Sequence, residues 1–201
     1  MKILIATANA HKVGEIREIL ADFPIELCDL RDFPPVAAPD ETGLTYAENA
    51  LLKARFYAAH TGLPALSDDS GLEVDALDGA PGLYSARFGG EDMPHSQKIL
   101  RVLDLLQQQP ERPRSARFRC CCVLLDPNTG QVWTEEATCE GTIASAPSGE
   151  QGFGYDPIFL VDPVRSMADL SASEKHAISH RGQALRGLLG QLYPHLSTAR
   201  A

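Results

Sequence analysis

Short apolar runs alternate along this chain with stretches whose apolar residues recur at helical spacing, and this alternation restricts the fold more than any other feature. Lys2 to Ala8 reads as a strand around Ile3, Leu4 and Ile5, and Lys12 to Phe23 as a helix with Val13, Ile16, Ile19, Leu20 and Phe23 on one face. Thr45-x-x-Glu48 has the form of a capping box, and the helix behind it should run to about His60 with Gly62 as its stop. Its inward stripe is Ala47, Ala50, Leu51, Ala54 and Tyr57, which leaves Glu48, Asn49 and Lys53 near the edge. Pro94 to Gln109 predicts a further helix, and Leu185, Leu188, Leu189 and Leu192 a closing one after a second capping box, Ser171-x-x-Glu174. Two strands joined at Asp126 to Gly130 make part of the sheet antiparallel. The expectation is a three-layer α/β protein with a mixed β-sheet flanked by helices.

A chain of 201 residues suits one domain, and nothing repeats internally. The first apolar run is interrupted by Thr7 and Asn9, too early for a signal-peptide core or a spanning helix, so the chain is expected in the cytoplasm. A net charge of -9 disfavours gripping a nucleic-acid backbone, which needs a broad basic surface. A small anionic ligand would require a local cluster of cations. The five cysteines lack ligand-pair spacing and are odd in number, which predicts reduced, mostly buried thiols. Cys120, Cys121 and Cys122 are adjacent on a strand, so alternation keeps them from sharing one metal.

Asp68 and Asp69 follow the apolar run Leu63 to Ser67 and precede Ser70-Gly71, where the strand should end in a turn and a second extended segment, Leu72 to Ala76, begin. Adjacent carboxylates repel unless a cation, a proton or a lysine absorbs the charge, so the pair reads as a metal-dependent acid site or as a solvated turn. Thr7-Ala8-Asn9-Ala10-His11-Lys12 bridges strand and helix, where free N-H groups and a lysine favour an anion; a capped helix with a solvated lysine is the alternative. The segment has neither Walker A nor dinucleotide-fingerprint spacing. Gly79 to Gly90 and Ser148 to Pro157 are Gly-rich loops, and Phe153 between two glycines could stack on a flat ring. Lys175, Ser179, His180 and Arg181 could together read the polar edge of a base, or could simply carry helix-end charge.

Six blocks occur in order: Thr7-x-Asn9-x-x-Lys12; Glu41-Thr42-Gly43 through Lys53-Ala54; Asp68-Asp69-Ser70-Gly71-Leu72; Gly79 to Arg87; Gly152-Phe153-Gly154-Tyr155-Asp156-Pro157; and Ile178-Ser179-His180-Arg181. Together they closely resemble the inosine triphosphate pyrophosphatase family, the non-canonical purine nucleoside triphosphate pyrophosphatases, from the first strand to the last helix. Ala8 departs from the glycine common there. The resemblance implies one two-lobed domain over residues 1–201, an elongated mixed sheet with a central cleft, and a homodimer. It implies magnesium-dependent hydrolysis of ITP, dITP and XTP to the monophosphate and pyrophosphate, with no nucleic-acid or membrane partner. By position, Asp69 is the expected general base, and Glu41 and Asp69 the metal carboxylates. Thr7, Ala8, Asn9, Ala10, His11, Lys12, Lys53 and Ser70 are the expected phosphate contacts, and Phe153, Gly154, Tyr155, Asp156, Lys175, His180 and Arg181 surround the nucleoside. A non-catalytic nucleotide sensor, or a pyrophosphatase for modified pyrimidine or methylated nucleotides, would fit a similar fold.

Overall fold

The computed structural model describes residues 1–193. Its elements are β1 (Lys2–Ile5), α1 (Ala10–Ile19), β2 (Glu26–Asp29), α2 (Tyr46–Thr61), β3 (Ala65–Val74), α3 (His95–Gln107), β4 (Ser115–Leu125), β5 (Val132–Ile143), β6 (Phe159–Leu160), α4 (Ala172–Ile178) and α5 (His180–Leu192), with short 3-10 turns between several of them. Six strands form one mixed sheet in the order β2-β1-β3-β4-β5-β6. β1 pairs in parallel with β2 and β3, and β5 pairs antiparallel with β6. The mixed α/β architecture expected from the patterning is therefore present.

The chain divides into two compact units, each assembled from separate stretches of sequence. The first comprises 1–69, 120–137 and the chain from 181 on; the second comprises 70–119 and 138–180. Unit 1 has its own core, in which Ile3, Ile5 and Leu66 of the sheet meet Val13, Ile16 and Leu20 from α1 and its C-cap and Leu185, Leu188 and Leu189 of α5. Burying each such side chain contributes about 1.5–3 kcal/mol. Unit 2 packs Leu72, Val74, Ile99, Val102, Leu106, Phe118, Phe159 and Met167 into a second core.

Local signals place the helix ends well. Asn9 caps α1, its Oδ1 accepting from the amides of His11 and Lys12 at 3.0 and 3.3 Å. Gly62 ends α2 at φ +70°, a left-handed conformation that favours glycine. The Ser171 and Glu174 capping box of α4 is reciprocal, as expected. At Thr45 the box is only half made: Thr45 Oγ1 accepts from Glu48, but Glu48 accepts from Leu44 at 2.6 Å rather than from Thr45.

The largest departure from the sequence reading lies at the aspartate pair. β3 does not stop at Ser70-Gly71; it runs unbroken from Ala65 to Val74, with Asp68 and Asp69 buried in its middle. A turn was expected because two carboxylates normally seek water. Cations from three helices reach them instead, so the strand can continue. The buried side of α2 is also rotated from the expected stripe. It carries Asn49 and Lys53 inward with Ala50, Ala54 and Tyr57, while Ala47 and Leu51 are only half-buried. All five cysteines are free and buried, as expected.

Candidate active site

Side chains alternate across a strand, so Asp68 and Asp69 face opposite sides of β3 and collect different partners. Asp68 shares its face with Leu66, against α1 and α5. Its Oδ2 lies 3.0 Å from Lys12 Nζ, and Arg181 donates to the same oxygen from Nη2 at 2.9 Å and from Nε at 3.2 Å. Arg181 Nη1 also donates to Glu15 at 2.6 Å. Burial alone would raise the Asp68 carboxyl, but the charges of Lys12 and Arg181 outweigh it and hold the group well below the usual carboxylate range.

Asp69 shares its face with Ser67, whose hydroxyl donates to the Ala50 carbonyl of α2. Lys53 of the same helix places Nζ 3.3 Å from Asp69 Oδ1 and 2.6 Å from Glu41 Oε1. Asn49 donates to Asp69 Oδ2 at 3.2 Å and accepts the Gly43 amide at 2.8 Å, which ties the segment after Glu41 to the carboxylate. Gly43 allows this close approach, since a Cβ there would stand 2.6 Å from Asn49 Oδ1. Desolvation pushes the Asp69 carboxyl above its ordinary value even though Lys53 and Lys12 pull it down. Lys53 is shifted upward: burial disfavours its charge, but Asp69, Asp68 and Glu41 outweigh that. One aspartate is thus locked in its ionised form, while its neighbour is eased toward binding a proton.

In this network Lys12, Lys53 and Arg181 meet the carboxylates of Glu15, Glu41, Asp68 and Asp69. Glu41 and Asp69 already converge on the single ammonium of Lys53, so two carboxylate oxygens point at one cationic position.

The Thr7 to Lys12 loop is less open than an anion cradle implies. Thr7 Oγ1 accepts the Asn9 amide at 3.2 Å, and Asn9 takes the amides of His11 and Lys12. Its fixed charge is the Lys12 ammonium, which is paired with Asp68 at 3.0 Å. A cavity of about 630 Å³ opens beside the loop, lined by Thr7, Ala8 and Ala10 and walled by Val13, Phe33 and Tyr57. Arg17 and Arg31 also border it, both donating to Asp29 at 2.9 and 2.8 Å, and with burial opposing them they hold that carboxyl below its ordinary range.

In unit 2, Lys175 Nζ lies 2.5 Å from Asp156 Oδ2 and 5.0 Å from the centre of the Phe153 ring. Asp156 also accepts the Phe153 amide at 2.8 Å. Gly154 lies in this loop at φ +67°, and Tyr155 donates from its hydroxyl to the Ser85 carbonyl at 3.1 Å. His180 stacks on Phe118 with ring centres 4.8 Å apart and planes 15° from parallel. Ser70, the first residue of unit 2, is half-buried on β3.

Lys12, Glu41, Lys53 and Asp69 lie in unit 1, and Phe153, Asp156 and Lys175 in unit 2. Arg181, 2% exposed, bonds Asp68 and Glu15 in unit 1. The sequence reading missed Glu15, which lies three residues after Lys12 on the same helix face, and Phe118, which strand alternation alone could not tell from core.

Residues 3–191 match the Ham1 family. This chain belongs to that family. It is 47% identical to a dITP/XTP pyrophosphatase of an Exiguobacterium strain over 98% of this chain and 99% of that protein. A dITP/XTP pyrophosphatase of Yersinia pestis is 47% identical over 95% of this chain and 98% of its own. Among solved structures, a HAM1 protein from Coxiella burnetii superposes with a TM-score of 0.87 at 41% identity, covering 96% of this chain and 99% of that one. The Staphylococcus aureus Ham1 protein gives 0.84 at 36%, covering 97% and 100%. The resemblance drawn from the six sequence blocks and the likeness of the fold thus lead to the same family. Among the described residues no helix is long and apolar enough to cross a membrane.

Proposed function

We propose that this chain hydrolyses non-canonical purine nucleoside triphosphates, ITP, dITP and XTP, to the monophosphate and pyrophosphate. The observation that carries the reading is the division of labour at the aspartate pair: Asp69, with its carboxyl raised and Lys53 beside it, is the group suited to take a proton from water. Water adds across the α-β phosphoanhydride, its proton passes to Asp69, and pyrophosphate departs with the bridging oxygen. Lys12 and Lys53 meet the negative charge that develops on the departing group. Each close charge contact is worth up to ~4 kcal/mol before desolvation at an effective dielectric of about 20.

Glu41 and Asp69 would hold the magnesium. The number suits that ion, which is commonly bound by one or two carboxylates together with substrate phosphates. Bound there, magnesium supplies neutralisation of phosphate charge. The convergence of Glu41 and Asp69 on the one ammonium of Lys53 is a further reason for a cation at this position.

Phe153, Lys175 and His180 of unit 2 are assigned to the nucleoside. A 6-oxo purine presents an acceptor, so donors on Lys175 and His180 favour it over the 6-amino group of adenine, while the Phe153 ring offers a face for stacking. Arg181 serves the reaction through Asp68. A cytoplasmic homodimer that clears deaminated purines from the triphosphate pool completes the reading. Incubation with ITP and magnesium is expected to release IMP and pyrophosphate in equal amounts. Release of orthophosphate alone would reject the proposed bond, and saturable binding without turnover would leave a sensor.

A further inference from the structure

We propose that Asp68 is a positioning residue that acts through Lys12, fixing the ammonium where the polyphosphate arrives, and is not itself a ligand or base. The inference rests on the reading that Lys12 meets phosphate. Asp68 is 1% exposed, so its carboxylate has no surface left for a substrate. Its Oδ2 instead receives three donors: Lys12 Nζ at 3.0 Å, Arg181 Nη2 at 2.9 Å and Arg181 Nε at 3.2 Å. The Cys120 thiol stands further off at 3.9 Å.

The roles of the two cations differ. Arg181 is clamped at both ends, by Asp68 and by Glu15 at 2.6 Å, and its side chain is 3% exposed. The Lys12 side chain retains 15% exposure. Lysine carries a flexible four-carbon stem with three rotatable donors, and holding it in one place costs rotamer freedom. A carboxylate in the middle of β3, already secured by two guanidinium bonds, provides a fixed point for that stem. Because Arg181 continues to satisfy Asp68, the ammonium can turn toward a phosphate without leaving a bare buried anion. Glu15 and Lys12 both belong to α1, so the same relay also locks that helix against β3.

Calorimetric binding of inorganic pyrophosphate to the full-length protein, in a double-mutant cycle, tests this. Lys12→Ala and Asp68→Asn are each expected to weaken affinity about tenfold, and the double variant no more than about twofold beyond either, because the second change removes nothing further. Independent losses, near a hundredfold in the double variant, would overturn the proposal even if Lys12 itself binds phosphate. Unchanged affinity in Lys12→Ala would instead overturn the placement of Lys12 at the phosphates, and the inference with it. Should Asp68→Asn fail to fold, the charge-balanced pair Asp68→Asn with Arg181→Gln replaces it in the same cycle, with thermal unfolding confirming a folded state. A merely structural Asp68 would lower the melting midpoint and leave the two losses multiplicative.

Discussion

The charged clusters of the two units are built on opposite plans. Around Asp68 and Asp69, seven charged groups from β3, α1, α2, α5 and the Glu41 segment are linked by shared partners: Lys53 and Arg181 each meet two carboxylates, and Asp68 meets two cations. In unit 2, Lys175 and Asp156 form one close pair at 2.5 Å, capped by the Phe153 ring. A shared network can exchange an internal contact for a phosphate or a cation at little cost, because the displaced group still has a partner. A single buried pair cannot; breaking one by removal of a partner typically costs about 3–5 kcal/mol. The first arrangement suits a site where charge arrives and leaves, the second a rigid wall.

The largest expected effect lies in the shared network. Asp69→Asn preserves shape and hydrogen-bonding capacity but cannot take a proton, so turnover of ITP should fall by about 10²–10⁴ while pyrophosphate affinity changes little. If steady-state rates stay within a few-fold of the parent, Asp69 is not the base and the contrast with Asp68 collapses. Next in size, Lys53→Met should lower single-turnover rates about a hundredfold, the scale for losing one preorganised donor to developing charge. Glu41 and Asp69 would then face each other without their shared ammonium, so magnesium should recover part of the loss in a concentration-dependent way.

A smaller change is expected from the rigid pair's aromatic cap. Phe153→Ala removes a ring and a cation contact worth roughly 0.5–2 kcal/mol, so KM should rise by about twofold to thirtyfold with kcat nearly kept. An equal fall in kcat would place Phe153 in the reacting region and dissolve the division between units. The smallest effect concerns neither cluster but two buried thiols, one in each unit. Burial pushes Cys121 up to about 12 and Cys139 up to about 11. A raised folded value means that their stabilising contribution is complete below the unfolded thiol value near 8.5 and is lost as pH climbs toward these folded values. Thermal midpoints should therefore decline above about pH 8.5, and a Cys121→Ala, Cys139→Ala variant should decline less over the same range.

Much of the molecule was readable from local pattern. The strand and helix order, the Gly62 stop, the Ser171 box and the buried reduced cysteines all depend on residues within a few positions of each other, where propensity and capping act. The blocks that hold Lys12, Glu41, Lys53 and Asp69 were distinctive enough to be proposed as one site from the sequence. The departure at β3 has a plain cause. The strand was expected to end at Asp68-Asp69 because the partners that hold a carboxylate inside the sheet are remote: Arg181 lies 113 positions from Asp68.

The amino-acid order by itself determined which chemistry the chain can carry: two adjacent carboxylates, scattered lysines and a family pattern of loops. Only the tertiary structure decided which aspartate does what. Alternation along β3 turns the two side chains to opposite faces, and burial makes each carboxylate depend on the cations that the neighbouring helices bring to it. Asp68 meets a guanidinium and an ammonium and is held ionised, while Asp69 meets one shared ammonium and has its carboxyl raised by burial.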